Sequence, residues 1–142
     1  RQPRILAALE RIDNGFVLIG RRHLRSNNSW MHNVQPLVKG PDRCTLQINP
    51  LDASTIGVEA GGNIKVRSKA GELIAPVELT EDILPGVVSL PHGWGHGLDG
   101  TTTEVANAHA GVNSNILTDE DEVDAVSGNA VLNGIPVELA AA

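Results

Sequence analysis

The chain has 142 residues, 41% of them apolar, and carries a net charge of -6 at neutral pH. The length suits one domain, and because Tyr is absent and Phe occurs once, Val, Ile, Leu and Ala must build the core. The negative charge argues against nonspecific binding of nucleic acid, and no stretch reaches the ~18–20 apolar residues of a membrane span. Cys44, the single cysteine, cannot form an internal disulfide, which is compatible with the cytoplasmic location that we expect.

The N-terminal residues predict a short helix ahead of the main domain. Residues 4–12 repeat apolar side chains near one helical face. We therefore expect residues 1–14 to form a linker helix from a preceding domain, and residues 15–142 to form the domain itself. Because the chain does not begin with Met, we expect it to be a piece of a longer protein.

Apolar and alternating segments along the rest of the chain predict short strands. A short helix is predicted at Pro50–Thr55, because Asn49 can cap it, proline fits its first turn and Gly57 can end it. Asn133-Gly134 is a tight-hairpin signal within the last strand segment. The predicted strands cover residues 16–20, 44–48, 63–69, 72–80, 87–90 and 130–139. Many short strands with few short helices predict a mainly β fold, a small β-barrel with helical inserts.

A polar loop follows the first predicted strand. Three arginines lie within five residues, and four small amide or hydroxyl side chains come next. Arginine can bind phosphates through paired hydrogen bonds, and Asn and Ser offer donors and acceptors to the edge of a heterocycle. An ordinary exposed polar loop remains the alternative. The candidate binding residues here are Gly20, Arg21, Arg22, Arg25, Ser26, Asn27, Asn28 and Ser29.

A glycine-rich loop at residues 91–100 follows the strand at 87–90. His92 and His96 are four residues apart, as in helical metal sites, but the glycines around them argue against a helix. We expect the loop backbone to approach a ligand, with His92 as a candidate contact. Trp94 is either a lid or packing residue at that site, or an ordinary core side chain.

The segment 107–118 combines asparagines with small residues. Asn113 and Asn115 precede an apolar stretch, which is typical of a polar turn, so ordinary turn formation is the alternative to recognition of a ligand. The sequence contains neither a nucleophile elbow nor a glycine-rich phosphate loop. The residues alone therefore predict a small β-barrel with loops suited to binding a ligand.

In their order these segments resemble the C-terminal domain of the dimethyl sulfoxide reductase family, which includes formate dehydrogenases and nitrate reductases. The resemblance runs from about Phe16 to Leu139, and the common order and spacing of its pieces carry it. The pieces are Leu18-Ile19-Gly20-Arg21 before the polar loop, Ile48-Asn49-Pro50-Leu51-Asp52-Ala53 with Gly57 and Gly61-Gly62-Asn63-Ile64-Lys65-Val66, Pro85-Gly86-Val87-Val88 with Pro91-His92-Gly93-Trp94, and Asn115-Ile116-Leu117-Thr118 with Asp124, Ser127 and Gly128.

The resemblance implies a double-psi β-barrel of the aspartate decarboxylase-like type. In the family, this domain closes over bis(molybdopterin guanine dinucleotide), while preceding domains hold most of the cofactor and ligate molybdenum or tungsten. The expected partners are therefore the preceding domains of a parent oxidoreductase. No catalytic and no metal-ligating residue is expected in this chain. Outside the polar loop, the expected cofactor contacts are His92, Asn113, Asn115 and Asn133, the last standing where the family often has Lys or Arg.

Two other hypotheses remain open on the sequence. One is a free-standing small β-barrel that binds a protein partner or another nucleotide. The other is a small zinc protein that uses His92, His96 and His109, because imidazole is a common zinc ligand.

Overall fold

The structure is a computed structural model that describes residues 15–142. The predicted linker helix at residues 1–14 lies outside the described residues. Within the described range the strands are β1 (Phe16–Arg21), β2 (Leu46–Ile48), β3 (Asn63–Arg67), β4 (Glu72–Leu79), β5 (Val87–Pro91) and β6 (Ile135–Ala141). The helices are α1 (Gln35–Val38), α2 (Pro50–Ile56) and α3 (Glu104–Ala108), and a 3₁₀-helix covers Ser114–Leu117.

The strands close into one barrel in the order β1-β5-β2-β4-β3-β6. β1 is parallel to β5, and β2 is parallel to β4, while the other neighbouring strands are antiparallel. Parallel neighbours need long crossover connections, so the chain cannot be a simple meander of hairpins. The predicted double-psi β-barrel, mainly β with short helices, is confirmed.

Strand alternation fills the barrel with aliphatic side chains. On β3, Ile64 and Val66 are fully buried, whereas Lys65 between them is only half-buried. Burying a side chain of this size contributes about 1.5–3 kcal/mol to folding. The 3₁₀-helix contributes Leu117 to the same core. The other core residues are Leu18, Leu46, Ile48, Ala53, Val58, Leu73, Ala75, Val77, Val88, Leu90, Ile135 and Val137.

The short helix α2 forms for the reasons that its sequence predicts. The Asn49 side chain accepts a hydrogen bond from the backbone N–H of Leu51 at 3.0 Å, which satisfies one free donor of the first turn. At the other end Gly57 adopts the left-handed conformation, with φ of 81°, and its N–H donates to the Ala53 carbonyl. The predicted cap and stop of this helix are both confirmed.

The predicted hairpin at Asn133-Gly134 is wrong. β6 begins at Ile135 and pairs with β1 and β3, so no strand folds back onto it at this turn. Instead, the Gly134 N–H donates to the Leu18 carbonyl at 3.0 Å, which attaches the segment to β1. Asn133 and Gly134 do form a bend, but their hydrogen-bond partners lie on β1 and not on a neighbouring hairpin strand.

Two short helices lie in segments to which the sequence analysis assigns no helix or strand. α1 and α3 have four and five residues, too few to be stable on their own in water. A distant side chain supports α3, because the Asn33 Oδ1 accepts a hydrogen bond from the Ala106 N–H at 3.1 Å. None of the described helices is long and apolar enough to cross a membrane.

Two isoleucines on adjacent strands test the assignment of the core. Ile64 is 0% exposed and Ile74 is 49% exposed. We expect Ile64→Ala to lower the free energy of unfolding by about 2–5 kcal/mol, because it leaves a cavity in the barrel. Ile74→Ala, the control, should lower it by no more than about 1 kcal/mol. Urea denaturation measures both, and equal losses would contradict the assigned core.

Candidate functional site

A cavity of about 330 Å³ opens beside the ends of β1 and β5. Its walls combine four aliphatic side chains with amides, hydroxyls, one arginine and one histidine. Among the described residues, those that line the cavity include no Asp or Glu. The lining residues are Leu18, Gly20, Arg22, Leu90, His92, Ser114, Asn115, Thr118, Leu132, Asn133 and Ile135. The chain as a whole carries a net charge of -6, whereas the described lining of this cavity carries the positive charge of Arg22.

The parallel pairing of β1 and β5 creates this cavity. Arg21 and Pro91 are register partners at the ends of the two strands. The residues that follow, Arg22 and His92, therefore leave the sheet side by side. Because alternate residues share a face of a strand, Gly20 and Arg22 lie on the same face as the core residue Leu18. The cavity is thus the polar mouth of the apolar barrel interior.

Five of the residues predicted from the sequence line this cavity: Gly20, Arg22, His92, Asn115 and Asn133. The sequence interpretation did not select Ser114 and Thr118, which flank Asn115 on and after the 3₁₀-helix, nor the aliphatic walls. Thr118 carried a recognisable signal, because it belongs to the segment that resembles the family's closing cofactor segment.

Gly20 and Asn133 are joined directly. The Gly20 N–H donates to the Asn133 Oδ1 at 2.6 Å. A Cβ atom on Gly20 would approach the same oxygen to 3.2 Å. This contact holds the irregular segment before β6 against the mouth of the cavity.

Arg22, Asn28 and His92 form a hydrogen-bonded group at the cavity wall. The Asn28 Oδ1 accepts from the guanidinium of Arg22 and from the His92 Nε2, the latter at 3.0 Å. Burial lowers the pKa of His92, and the positive charge of Arg22 lowers it further. His92 is therefore a neutral imidazole at pH 7 that donates through Nε2.

Arg21 points away from the cavity, opposite to Arg22. Its guanidinium donates to the Ser89 carbonyl at 2.6 Å and to the Thr45 carbonyl and hydroxyl at 2.7 and 2.9 Å. It also lies 3.7 Å from a carboxylate oxygen of Glu78. The side chain thus ties together the strand ends of the barrel, and the predicted cofactor contact of Arg21 gains no support from this geometry.

The remaining predicted residues do not line the cavity. Arg25 and Asn27 are exposed on the polar loop, Ser26 is buried, and Ser29 is half-buried. The Asn113 Oδ1 accepts from the Asn115 N–H at 3.0 Å, so Asn113 caps the 3₁₀-helix and fixes the position of Asn115.

A buried histidine that the sequence interpretation overlooked packs beneath the polar loop. His32 is 1% exposed, with Nε2 at 2.8 Å from the Ser26 Oγ and Nδ1 at 2.7 Å from the His96 Nε2. Its ring stacks on Trp94 with centroids 3.9 Å apart. Trp94 is 8% exposed, so it is a packing residue of the interior rather than a lid. Burial and the neighbouring His96 lower the pKa of His32 to about 4.

The backbone of the glycine-rich loop packs closely against the segments that contain Asn28 and Asn113. A Cβ atom on Gly93 would lie 2.0 Å from the Asn28 carbonyl oxygen, and one on Gly95 would lie 2.6 Å from the Asn113 Cβ. Both glycines also have positive φ. The missing side chains therefore let this loop dock on the two segments that carry the predicted binding asparagines.

The zinc hypothesis finds no support in this geometry. His92 contacts Asn28, His96 contacts His32, and the His109 Nδ1 lies 3.7 Å from Asp42. Over residues 15–142, no group of three or more His, Cys, Asp or Glu residues is arranged to hold a metal ion. Cys44 is buried, and burial raises the pKa of its thiol.

The fold and the cavity together define a double-psi barrel with a polar cavity at its mouth. Residues 16–136 match the family model described as "Molydopterin dinucleotide binding domain". The chain belongs to this family.

Known relatives agree with this membership. The chain is 27% identical over 126 residues to a tetrathionate reductase chain of Salmonella typhimurium, a match that covers 77% of the chain. It is 31% identical over 121 residues to the molybdopterin-containing chain of the arsenate respiratory reductase of Chrysiogenes arsenatis, covering 82% of the chain. These matches span only 12% and 14% of the relatives' own lengths.

Among solved structures, acetylene hydratase from Pelobacter acetylenicus has the same fold, with a TM-score of 0.65 and 18% identity. The match covers 97% of this chain and 20% of the acetylene hydratase chain. At this identity the likeness concerns the fold alone.

Gly93 and Gly100 provide a matched test of loop docking. Their φ angles are 88° and 86°, but a Cβ on Gly100 would meet nothing within 4 Å. Both alanine variants carry a left-handed residue, which costs about 1 kcal/mol. Gly93→Ala must in addition displace the Asn28 backbone, so it should lose about 1–3 kcal/mol more. Chemical denaturation gives the difference, and equal stability of the two variants would show that the loops do not dock.

Acid should destabilise the domain before its carboxylates titrate. Burial is the first cause that lowers the pKa of four histidines: His23, His32, His92 and His96. The unfolded chain takes up protons below the ordinary value of 6.5, while the folded chain resists, so stability decreases as pH falls from there. For His32 the decrease continues to about pH 4.

Urea denaturation at pH values between about 7.5 and 4.5 measures this slope. A His32→Gln variant removes one of the four groups and should show a shallower decrease. A free energy of unfolding that stays constant between about pH 7 and 5 would contradict the burial of these rings.

Proposed function

We propose that this chain caps bis(molybdopterin guanine dinucleotide) in a molybdenum or tungsten oxidoreductase. The observation that carries the proposal is the cavity at the barrel mouth, whose described lining holds Arg22 and several amides and hydroxyls but no carboxylate. Membership of the dinucleotide-binding family and the molybdopterin-containing relative support the same ligand.

The residues present fit such a cofactor chemically. Its diphosphates need a cation and N–H donors, and its pterin and guanine rings need paired donors and acceptors. Arg22 supplies the charge, and the Asn115 amide can both donate and accept. The neutral His92, whose Nε2 donates to Asn28, keeps Nδ1 as an acceptor. The aliphatic walls from Leu18 and Leu90 suit the flat face of a heterocycle.

The cavity is too small to enclose the cofactor. Its volume of about 330 Å³ lies at the lower end of the range for small-ligand pockets, roughly 300–1,000 Å³. The barrel therefore contacts one part of the ligand and leaves the rest to other domains. We propose that those partners are the preceding domains of the parent enzyme, since the curated relatives are chains about seven to eight times longer than the matched part.

The bound cofactor supplies the redox chemistry, through a metal that other domains ligate. The side chains of this domain bind the cofactor and orient it. Arg22 neutralises phosphate charge, and the Asn28 amide keeps its guanidinium beside His92. Asn133 holds the Gly20 N–H at 2.6 Å, so the segment before β6 closes the wall of the site.

The proposal also covers the cellular location of the protein and the boundary of the domain. A cytoplasmic location is inferred from Cys44, a buried thiol with no second cysteine to pair with. The boundary between a linker at residues 1–14 and the domain at 15–142 rests on the sequence pattern and on a family match that begins at residue 16. A free-standing barrel is less well supported, because the matched relatives carry this domain within much longer chains.

The arginine of the cavity tests the proposal. In the enzyme that contains this chain, Arg22→Ala should weaken cofactor retention about tenfold or more, because a charged hydrogen bond contributes about 1.5–3 kcal/mol. Asn115→Ala, which removes a neutral donor and acceptor, should weaken it about fivefold. Metal content and guanine nucleotide released on denaturation are measured per protein.

Arg67→Ala is the matched control. Arg67 lies at the end of β3, exposed and outside the cavity, so its removal should leave cofactor content unchanged. Unchanged cofactor content in both Arg22→Ala and Asn115→Ala would refute the assigned cavity. Equal loss in Arg22→Ala and Arg67→Ala would also refute it, because the effect would then reflect net charge alone.

A further inference from the structure

We propose that His32 is a positioning residue for the cavity. Its two ring nitrogens connect Ser26 of the polar loop to His96 of the glycine-rich loop, and this connection fixes the turn at which Asn28 holds Arg22 and His92. The inference rests on the proposed function only in assigning ligand binding to Arg22 and His92. The arrangement itself is independent of the ligand.

His32 is buried between the polar loop and the glycine-rich loop. Both ring nitrogens are used, Nε2 at 2.8 Å from the Ser26 Oγ and Nδ1 at 2.7 Å from the His96 Nε2. One face of the ring stacks on Trp94, so the ring cannot rotate without losing a large packing surface. Ser26 is itself buried, which makes a lost hydrogen bond at its hydroxyl costly.

A strained turn lies directly after Ser26 in the polar loop. Asn27 and Asn28 have φ of 43° and 64°, two consecutive left-handed residues that are not glycine. Asparagine tolerates this conformation better than most residues, but it persists only where the surroundings enforce it. Backbone hydrogen bonds also restrain this turn: the Ser26 N–H donates to the His23 carbonyl at 3.1 Å, and the Trp30 N–H donates to the Asn27 carbonyl at 3.3 Å. The buried hydroxyl of Ser26, 2.8 Å from the His32 Nε2, adds a side-chain restraint at the start of the turn.

The Asn28 side chain connects this turn to the cavity. The left-handed turn directs the Asn28 amide oxygen to both the Arg22 guanidinium and the His92 Nε2. A Cβ atom on Gly93 would lie 2.0 Å from the Asn28 carbonyl oxygen, so the glycine-rich loop packs directly against this turn and restrains its backbone. If Ser26 were released, the Asn28 amide would lose the orientation that brings the arginine and the histidine together.

His32 performs this role as a neutral ring. The titratable and charged groups that face it are His96, His23 and Arg43, and each disfavours a proton on His32. A neutral imidazole has one donor and one acceptor nitrogen, which matches a hydroxyl on one side and a second imidazole on the other.

The experiment uses two substitutions that separate the two nitrogens. A glutamine amide nitrogen reaches about as far as Nε2 of histidine, and an asparagine amide nitrogen about as far as Nδ1. His32→Gln should therefore keep the contact with Ser26, and His32→Asn should keep only the contact with His96. Ser26→Ala removes the hydroxyl with little change in volume, and Ser54→Ala, on the exposed face of α2, is its control.

The first readout is the contact between the His92 ring and the Asn28 side chain, measured by nuclear Overhauser effects in the full chain. We expect His32→Asn and Ser26→Ala to lose this contact, and His32→Gln and Ser54→Ala to retain it. A purely structural role would instead lower the melting temperature of both His32 variants without selective loss of the contact. Persistence of the contact in folded Ser26→Ala and His32→Asn would overturn the proposal.

The second readout is cofactor content of the enzyme that contains the chain. Ser26→Ala should reduce it about fivefold, the effect of one lost hydrogen bond, and His32→Gln should restore most of the content lost in His32→Asn. If Arg22→Ala and Asn115→Ala both leave the content unchanged while Ser26→Ala still breaks the His92–Asn28 contact, the proposed function fails and the positioning role stands. An intact contact in every variant overturns the positioning role, whatever the cofactor content.

Discussion

The parallel pairing of β1 with β5 is the constraint on which the site depends. Hydrogen bonds in register from Val17–Val87 to Arg21–Pro91 force both strands to end at the same place. The two polar loops therefore leave the barrel together, although about 70 residues separate them in the chain. An antiparallel pair would have placed His92 at the opposite end of the barrel from Arg22. The chemistry of the cavity follows from strand direction before any side chain is considered.

The barrel separates stability from recognition. Aliphatic side chains fill its interior, and its closed sheet pairs the backbone groups of every strand with a neighbour. The loops can then carry groups that a core could not tolerate, such as the guanidinium of Arg22 and two left-handed asparagines. A protein with an overall charge of -6 can hold an anion only where its carboxylates are kept away. The described cavity lining meets this condition.

Much of the fold was predictable from the sequence, because its signals are local. The cap at Asn49, the left-handed Gly57 and the alternation around Ile64 each act within a few residues. The hairpin signal at Asn133-Gly134 failed because the partner is β1, more than a hundred residues away in the chain. The role of His32 was hidden for the same reason: neither His96 nor Trp94 is near it in the sequence.

The alternation of side chains along β1 distinguishes Arg21 from Arg22 already at the level of the sequence. Composition treats Arg21 and Arg22 as equal candidates for a phosphate. A strand sends alternate side chains to opposite faces, so only one of them can share the face of Leu18, which the apolar pattern already assigns to the interior. Arg22 has that parity and lines the cavity, whereas Arg21 bonds to Ser89 and Thr45. Strand parity, extended one residue past the strand end, therefore identifies the arginine that lines the cavity.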